Sequence, residues 1–273
     1  MIRAMTLPDL AVVLGWAAAE GWNPGLDDAA PFLAADPAGF VVDERHGHPV
    51  AAIPVVNHDA QMAFLGLYLC HPDWRGKGIG FALWTDALRH AGARTVGLDG
   101  VAAQQGNDAR SGFRPSGATV RMQGQLRSSV PGLREALPSD DIAIATLDRA
   151  ANGYDRAAFL SAWTRPLPRR RTVVTDGPDG ITGLATVRLC GTGCKIGPVV
   201  APDADAAMIL IGAAATLIGV PDATVDVPEG NAPLLARLAG SGFTETFRTA
   251  RMYCGSAPEA GPSLQAIGTM ELG

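Results

Sequence analysis

The chain reads as an α/β protein built from two consecutive units, and three observations predict this. A buried strand, a glycine loop and an amphipathic helix follow one another over residues 61–91. The same layout returns 130 positions later: Pro72 is matched by Pro202, Ser111-Gly112-Phe113 by Ser241-Gly242-Phe243, and Arg121-Met122 by Arg251-Met252. Three agreements at one spacing point to an internal duplication, with a coincidence of common Gly and Pro residues as the alternative. The third observation is bulk: 273 residues, 47% of them hydrophobic, can bury one large core or two ordinary ones.

Taken in order, Ile2 to Met5 begins a strand, and Thr6 caps a helix running to about Glu20. Pro8 lies near its first turn, where a missing N–H is harmless. Asp27 to Ala34 reads as a second helix. Gly39–Glu44 and Pro49–Asn57 form a hairpin around Arg45-His46-Gly47-His48, with His58 and Asp59 as surface turn residues. Ala63 to Cys70 is one apolar run, hence one buried strand. After the glycine loop, Ile79, Leu83, Ala87 and Ala91 share a helical stripe with Trp84 and Leu88 beside it. A strand at Thr95–Leu98, a helical turn near Gln104 and a strand at Ala118–Gln123 complete the first unit. Pro131–Asp140 is the expected linker.

The second unit runs from Ile142 to about Gly255, with strands at Thr172–Thr175 and Lys195–Val200. Arg165 with Arg169-Arg170-Arg171 is expected to be a solvated loop, recognition of an anionic ligand group being the alternative. The Gly/Pro/Ala-rich tail from Ser256 is expected to be loose. The predicted division is therefore 1–130, 138–255 and a tail, 256–273.

The loop Arg75-Gly76-Lys77-Gly78-Ile79-Gly80 is the most chemically pointed segment. Glycines at the first turn of a helix let a ligand approach bare backbone N–H groups, and the helix N-terminus favours an anion such as pyrophosphate. Arg75 and Lys77 add to that field. The loop fits neither G-x-x-x-x-G-K-[ST] nor G-x-G-x-x-G. An ordinary glycine-rich turn is the alternative.

Preceded by Cys70-His71-Pro72, the Arg-x-x-Gly-x-Gly form resembles the pyrophosphate loop of the GNAT N-acetyltransferase superfamily. With Glu20-Gly21-Trp22-Asn23-Pro24-Gly25, Gln104-Gln105-x-Asn107 and Arg251-Met252-Tyr253, the chain is similar to a bacterial subgroup joining an active GNAT unit to a degenerate one. The resemblance is specific over residues 39–123 and topological beyond them. It implies two GNAT-like units, each a mixed, mostly antiparallel sheet flanked by helices. It also implies acetyl-CoA as donor, coenzyme A as product, and direct attack by the primary amine of a small molecule or peptide. An acetyl-CoA-binding sensor or regulatory subunit without turnover is the alternative.

The resemblance carries over to individual residues. Tyr68, Leu69 and Cys70 would pair with pantetheine through backbone, and Gly76, Lys77, Gly78, Ile79, Gly80 and Phe81 would cradle the phosphates. Arg75 would anchor the loop, with Gln104 and Asn107 also on the cofactor side. Asp99 stands where some members carry the general base; an exposed strand-end carboxylate is the other reading. Glu20, Trp22 and Asn23 lie on the acceptor side, where a carboxylate beside an indole could draw in an ammonium group; helix-end capping is the plainer role for Glu20. The tyrosine that usually protonates the thiolate is replaced by Asp108, which leaves Tyr253, Tyr68 or water as acid, or Tyr253 as a packing residue. Cys70 is not expected to act as a nucleophile.

At the common offset Arg75, Gly76, Gly78 and Gly80 become Asp205, Ala206, Met208 and Leu210. The second unit is thus expected to lack the coenzyme loop and to wall the acceptor pocket.

A net charge of −5 without a lysine-rich block argues against nucleic acid as partner. The longest apolar run, Ala206–Val220, is short for a bilayer, so no membrane partner is expected. Cys70, Cys190, Cys194 and Cys254 are too few for a disulfide framework; reduced thiols, no metal and a cytoplasmic setting follow. A homodimer is left open.

Overall fold

The computed structural model describes residues 1–126 and 133–273. The first half contains β1 (Ile2–Ala4), α1 (Leu7–Ala19), α2 (Ala29–Ala35), β2 (Phe40–Arg45), β3 (His48–Asn57), β4 (Met62–Leu65), β5 (Leu69–Cys70), α3 (Ile79–Ala91), β6 (Thr95–Gly100), α4 (Gln105–Arg110) and β7 (Arg114–Gln125). The second contains β8 (Arg134–Glu135), α5 (Asp141–Asn152), α6 (Ala157–Trp163), β9 (Arg170–Gly177), β10 (Gly180–Leu189), β11 (Cys194–Val200), α7 (Ala204–Ile218), β12 (Asp222–Pro228), α8 (Ala232–Gly240), β13 (Thr244–Cys254) and β14 (Leu264–Ala266). The expected linker and the end of the first predicted domain fall partly at 127–132, outside the described residues.

Local chemistry explains the elements that set the site. Thr6 and Asp9 form a reciprocal capping box at the head of α1, each side chain meeting the other's backbone N–H. Leu10, Val13, Leu14 and Ala17 then bury one face of that helix. In α3 the buried positions are Leu83, Trp84, Ala87 and Ala91, and Gly92 (φ 61°) ends the helix. They pack on Ile53, Val55, Leu65 and Leu98 of the sheet.

The sheet is mixed and mostly antiparallel, in the order β1-β2-β3-β4-β6-β13-β7-β12-β11-β10-β9-β8. Among the described residues only β4–β6 and β11–β12 pair in parallel. The two halves exchange their long closing strands. β13, from the second half, lies against β6, while β7, from the first, lies against β12. The exchanged strands also pair with each other.

Four expectations are corrected. The run Ala63–Cys70 is not one strand: it breaks between β4 and β5, with Leu67 at φ 44°. The tail is not loose. β14 pairs with β11, Ala266 is buried in the core around α7, Leu272 in the core around α1, and Ile267 is buried between them in sequence. Arg170 is not solvated but fully buried, stacked 4.3 Å from the Trp163 ring and bonded to Asp28. His58 donates from Nε2 to the Leu272 carbonyl at 2.8 Å, and burial, then the Arg156 charge, pull its pKa down to about 4. Its neighbour Asp59 accepts from the backbone N–H groups of Gln61, Met62 and Asp155.

Candidate active site

Gly78 caps α3 with φ 75°, a left-handed conformation that glycine adopts without steric cost. No side chain caps the first turn of α3. Gly76 (φ 73°) and Gly78 both have open space where a side chain would begin. Gly80 is small for another reason: a Cβ there would collide with the Tyr68 hydroxyl. The result is a row of backbone N–H groups at the positive end of a 13-residue helix. Arg75 ties the loop down, donating from Nε to the Cys70 carbonyl at 2.9 Å and from Nη2 to Glu20. Lys77 lies over the Trp74 ring at 4.8 Å.

These groups open on a cleft of about 820 Å³. Its second edge is β5, which pairs with β3 on one side and, among the described residues, has no strand on the other. Backbone N–H and C=O groups left on such an edge invite an extended ligand. Burial pushes the Cys70 thiol up, so it is not a poised thiolate.

The equivalent places in the second half are filled by the protein itself. Asp203 caps α7, its carboxylate accepting from Ala206 N–H at 2.9 Å. The helix begins at Ala204, so positions 205–210, equivalent to the loop, are already helical. Asp205 is paired with Arg237. On β11, Val199 and Val200 stand at the offset of Leu69 and Cys70, and β14 pairs with them.

The cleft gathers Glu20, Trp22, Tyr68, Leu69, Cys70, Arg75, Gly76, Lys77, Gly78, Ile79, Gly80, Phe81, Asp99 and Gln104 of the expected set. It does not gather Asn23, Asn107 or Tyr253. Asn23 instead joins the halves, donating to the Thr192 carbonyl at 2.8 Å and accepting its N–H at 3.1 Å. The Asn107 side chain is turned to Gln104 Oε1 at 2.6 Å. Tyr253 does not line the cleft but packs with Met62, Phe64 and Tyr154.

Asp99 lines the cleft but is committed elsewhere. It accepts from Thr119 and Thr249 hydroxyls at 2.9 and 3.0 Å and from Arg251 at 3.1 and 2.7 Å, with its side chain 1% exposed. The second half repeats this pair: Arg121 meets Asp226 at 2.7 and 2.8 Å. Burial opposes these charges, yet pairing prevails, holding the Asp226 carboxyl down and the Arg251 guanidinium up. A pair present in both halves is a fastener for the exchanged strands, and the geometry speaks against Asp99 as base. Glu20 likewise is engaged by Arg75 and acts on the loop's position.

The second unit does wall the pocket, as expected, but through residues that sequence reasoning did not name as lining it. Arg121 and Gln123 of β7, Thr246, Phe247 and Thr249 of β13, and Met270 and Glu271 of the tail all line the cleft. It is thus built by both halves. Asp108 also lines it, 6% exposed, and burial pushes its carboxyl up to about 6. Tyr68 lies nearby and is itself raised, by burial first and then by Cys70 and Asp108. The replaced tyrosine was the one sequence signal pointing at Asp108.

Comparison with known proteins agrees with this architecture. Residues 8–112 match the family described as "Acetyltransferase (GNAT) family", and residues 144–265 match "Acetyltransferase (GNAT) domain". The chain is 34% identical to the holothin acyltransferase of Pseudoalteromonas sp. (strain SANK 73390) over 278 residues, covering 99% of this chain and 94% of that one. In fold it is similar to a Pyrococcus horikoshii protein described as "Putative Acetyltransferase" (TM-score 0.82, 22% identity, 100% and 95% of the two chains). It is also similar to a tandem GNAT protein from the clavulanic acid biosynthesis pathway (TM-score 0.60, 18% identity, 94% and 99%). Two family matches in series, a relative aligned end to end and a cleft at the head of α3 lead to one assignment: this chain is an acyltransferase of the GNAT family, in its tandem form.

Proposed function

We propose that the protein is an acetyl-CoA-dependent N-acetyltransferase whose donor site lies in the first half alone. The observation that carries this is the uncapped head of α3, with Gly76 and Gly78 leaving backbone N–H groups open to a cleft whose other edge is the unpaired side of β5. Those N–H groups suit a diphosphate, and the β5 edge suits an extended pantetheine arm. When bound, acetyl-CoA supplies the thioester carbonyl. The chain's part is to hold it, admit an amine and manage protons.

Asp108 is the fitting proton donor for the departing thiolate. It lines the cleft beside Tyr68, and a carboxyl raised to about 6 keeps part of its population protonated near neutrality. Transfer that relies on it weakens as pH rises through 6. The second half holds no coenzyme, since Asp203 and β14 occupy the corresponding groups. Four free thiols suit a reducing, cytoplasmic setting, and among the described residues no helix is long and apolar enough to cross a membrane.

The acceptor is an amine of a small molecule or peptide. The name of the Pseudoalteromonas relative puts holothin first in an acceptor panel, followed by amino acids, cationic metabolites and peptide N-termini. Thiol release from acetyl-CoA, followed with each amine, tests the proposal. Release with at least one amine, abolished in Gly78→Glu, is the expected result. Release unchanged in Gly78→Glu overturns the loop assignment, and no release with any amine overturns the activity.

A further inference from the structure

With Asp99 locked to Arg251 and Glu20 to Arg75, the cleft needs another group to receive an amine. The tail provides one. After β14 the chain runs from the second half into the break between β4 and β5, where a Cβ on Gly66 would overlap the Glu271 carbonyl. The segment is held there by Met270 Sδ, which accepts from Arg121 at 3.4 Å, and by the Leu272 carbonyl, which accepts from His58. Glu271 is 8% exposed and lines the cleft. Among the described residues its carboxylate has neither a hydrogen-bond donor nor a salt-bridge partner, and its oxygens are not sealed from solvent.

With no donor from the chain bonded to it, this buried carboxylate leaves its oxygens facing the cleft, to water or to a ligand. The charges of Arg121, Arg188 and Lys195 reach it without bonding to it: Arg121 is held by Asp226, Arg188 by the Gly268 carbonyl and the Asp28 carboxylate, Lys195 by the Trp22 carbonyl at 2.8 Å. Phe247, exposed on the same wall of the cleft, has the Arg121 guanidinium over its ring at 5.7 Å.

We infer that Glu271 is the acceptor carboxylate: it receives the ammonium form of the amine and takes its proton. This rests on the acetyl-transfer reading above. One N–H bond of the ammonium breaks and its proton passes to a Glu271 oxygen. The freed lone pair forms the N–C bond to the thioester carbonyl carbon, and the C–S bond breaks with its electron pair on sulfur. A second nitrogen proton leaves with amide formation and balances the proton taken up by the thiolate; Glu271 returns the first to solvent. The donor site thus belongs to the first half, and the base comes from the second half's tail.

The test uses two amines on wild type and on Glu271→Gln, which keeps shape and removes charge. Benzylamine is protonated at neutral pH, whereas hydroxylamine is already neutral. Calorimetric titration of benzylamine into the coenzyme A-loaded protein should show affinity falling about tenfold or more in Glu271→Gln, with benzyl alcohol binding unchanged. Transfer from acetyl-CoA to benzylamine should fall by roughly a hundredfold or more, while transfer to hydroxylamine holds within a few fold. Glu271→Asp should restore part of the benzylamine rate. Equal benzylamine affinity in both proteins, or equal losses with both amines, overturns the inference. Failure of wild type to bind acetyl-CoA overturns instead the reading beneath it.

Discussion

The heads of α3 and α7 are the same place in a duplicated chain, and they differ in who supplies the anion and the strand. At α3 the cap is Gly78, which brings no oxygen of its own and leaves the first-turn N–H groups for a ligand. At α7 the cap is Asp203, whose carboxylate already accepts one of them. Beside α3 the edge of β5 is unpaired, while beside α7 the equivalent edge of β11 carries β14. A binding site and a structural core can therefore be separated by a few residues: glycines that withhold side chains, or an aspartate and a returning strand that fill the same space. The filled half is not idle, because its β13 and the tail that continues from β14 wall the open one.

The largest effect should come from making the open half resemble the filled one. Gly78→Glu places a β-carbon at positive φ and a carboxylate where phosphate would lie. Acetyl-CoA affinity should drop a hundredfold or more, about 3 kcal/mol, as calorimetry would record.

Next come the paired fasteners. Arg251→Ala and Arg121→Ala each strand a buried aspartate, so each should cost about 3–5 kcal/mol of stability in denaturant melts. Similar losses support a shared structural role for the two pairs. Asp99→Asn with native stability but strongly reduced turnover would restore Asp99 as base.

Asp108 gives a pH-dependent difference. Its folded pKa of about 6 lies above the ordinary 3.8, so the folded state binds the extra proton. The stability this contributes is fully present below 3.8 and is lost as pH rises through 6. Asp108→Asn should therefore melt higher than wild type at pH 7, by at most about 3 kcal/mol, and the gap should close near pH 3.5. A constant gap across that range would contradict the assigned shift.

The smallest effect tests the filled half. Asp203→Ala uncaps α7 and should cost about 1 kcal/mol while leaving acetyl-CoA affinity and stoichiometry as they were. A second binding event in this variant would mean that the cap alone keeps the site closed.

What was legible in the sequence was local. Thr6 with Asp9, the α3 stripe and the glycine loop each depend on residues within a few positions of one another, so periodicity and capping chemistry reveal them. The duplication was legible through repeated residues, including Arg121 and Arg251, but their crossing was not. That β13 lies on β6 and β7 on β12 depends on pairings between residues more than 90 positions apart. For the same reason Asp99 looked like a free strand-end carboxylate, although its partner is 152 residues away. The tail was misread by composition. Its glycines and prolines suggested slack, while Leu264, Ala266, Ile267 and Leu272 were the apolar contacts that seat it. Once it was taken as slack, Glu271 could not be seen as part of the cleft.

The central claim is that one half binds the acyl donor and the other is closed by its own atoms. Counting acetyl-CoA molecules bound per chain by calorimetry tests it most directly. One site in wild type and none in Gly78→Glu is the predicted result. Two sites in wild type, or one that survives Gly78→Glu, would contradict it.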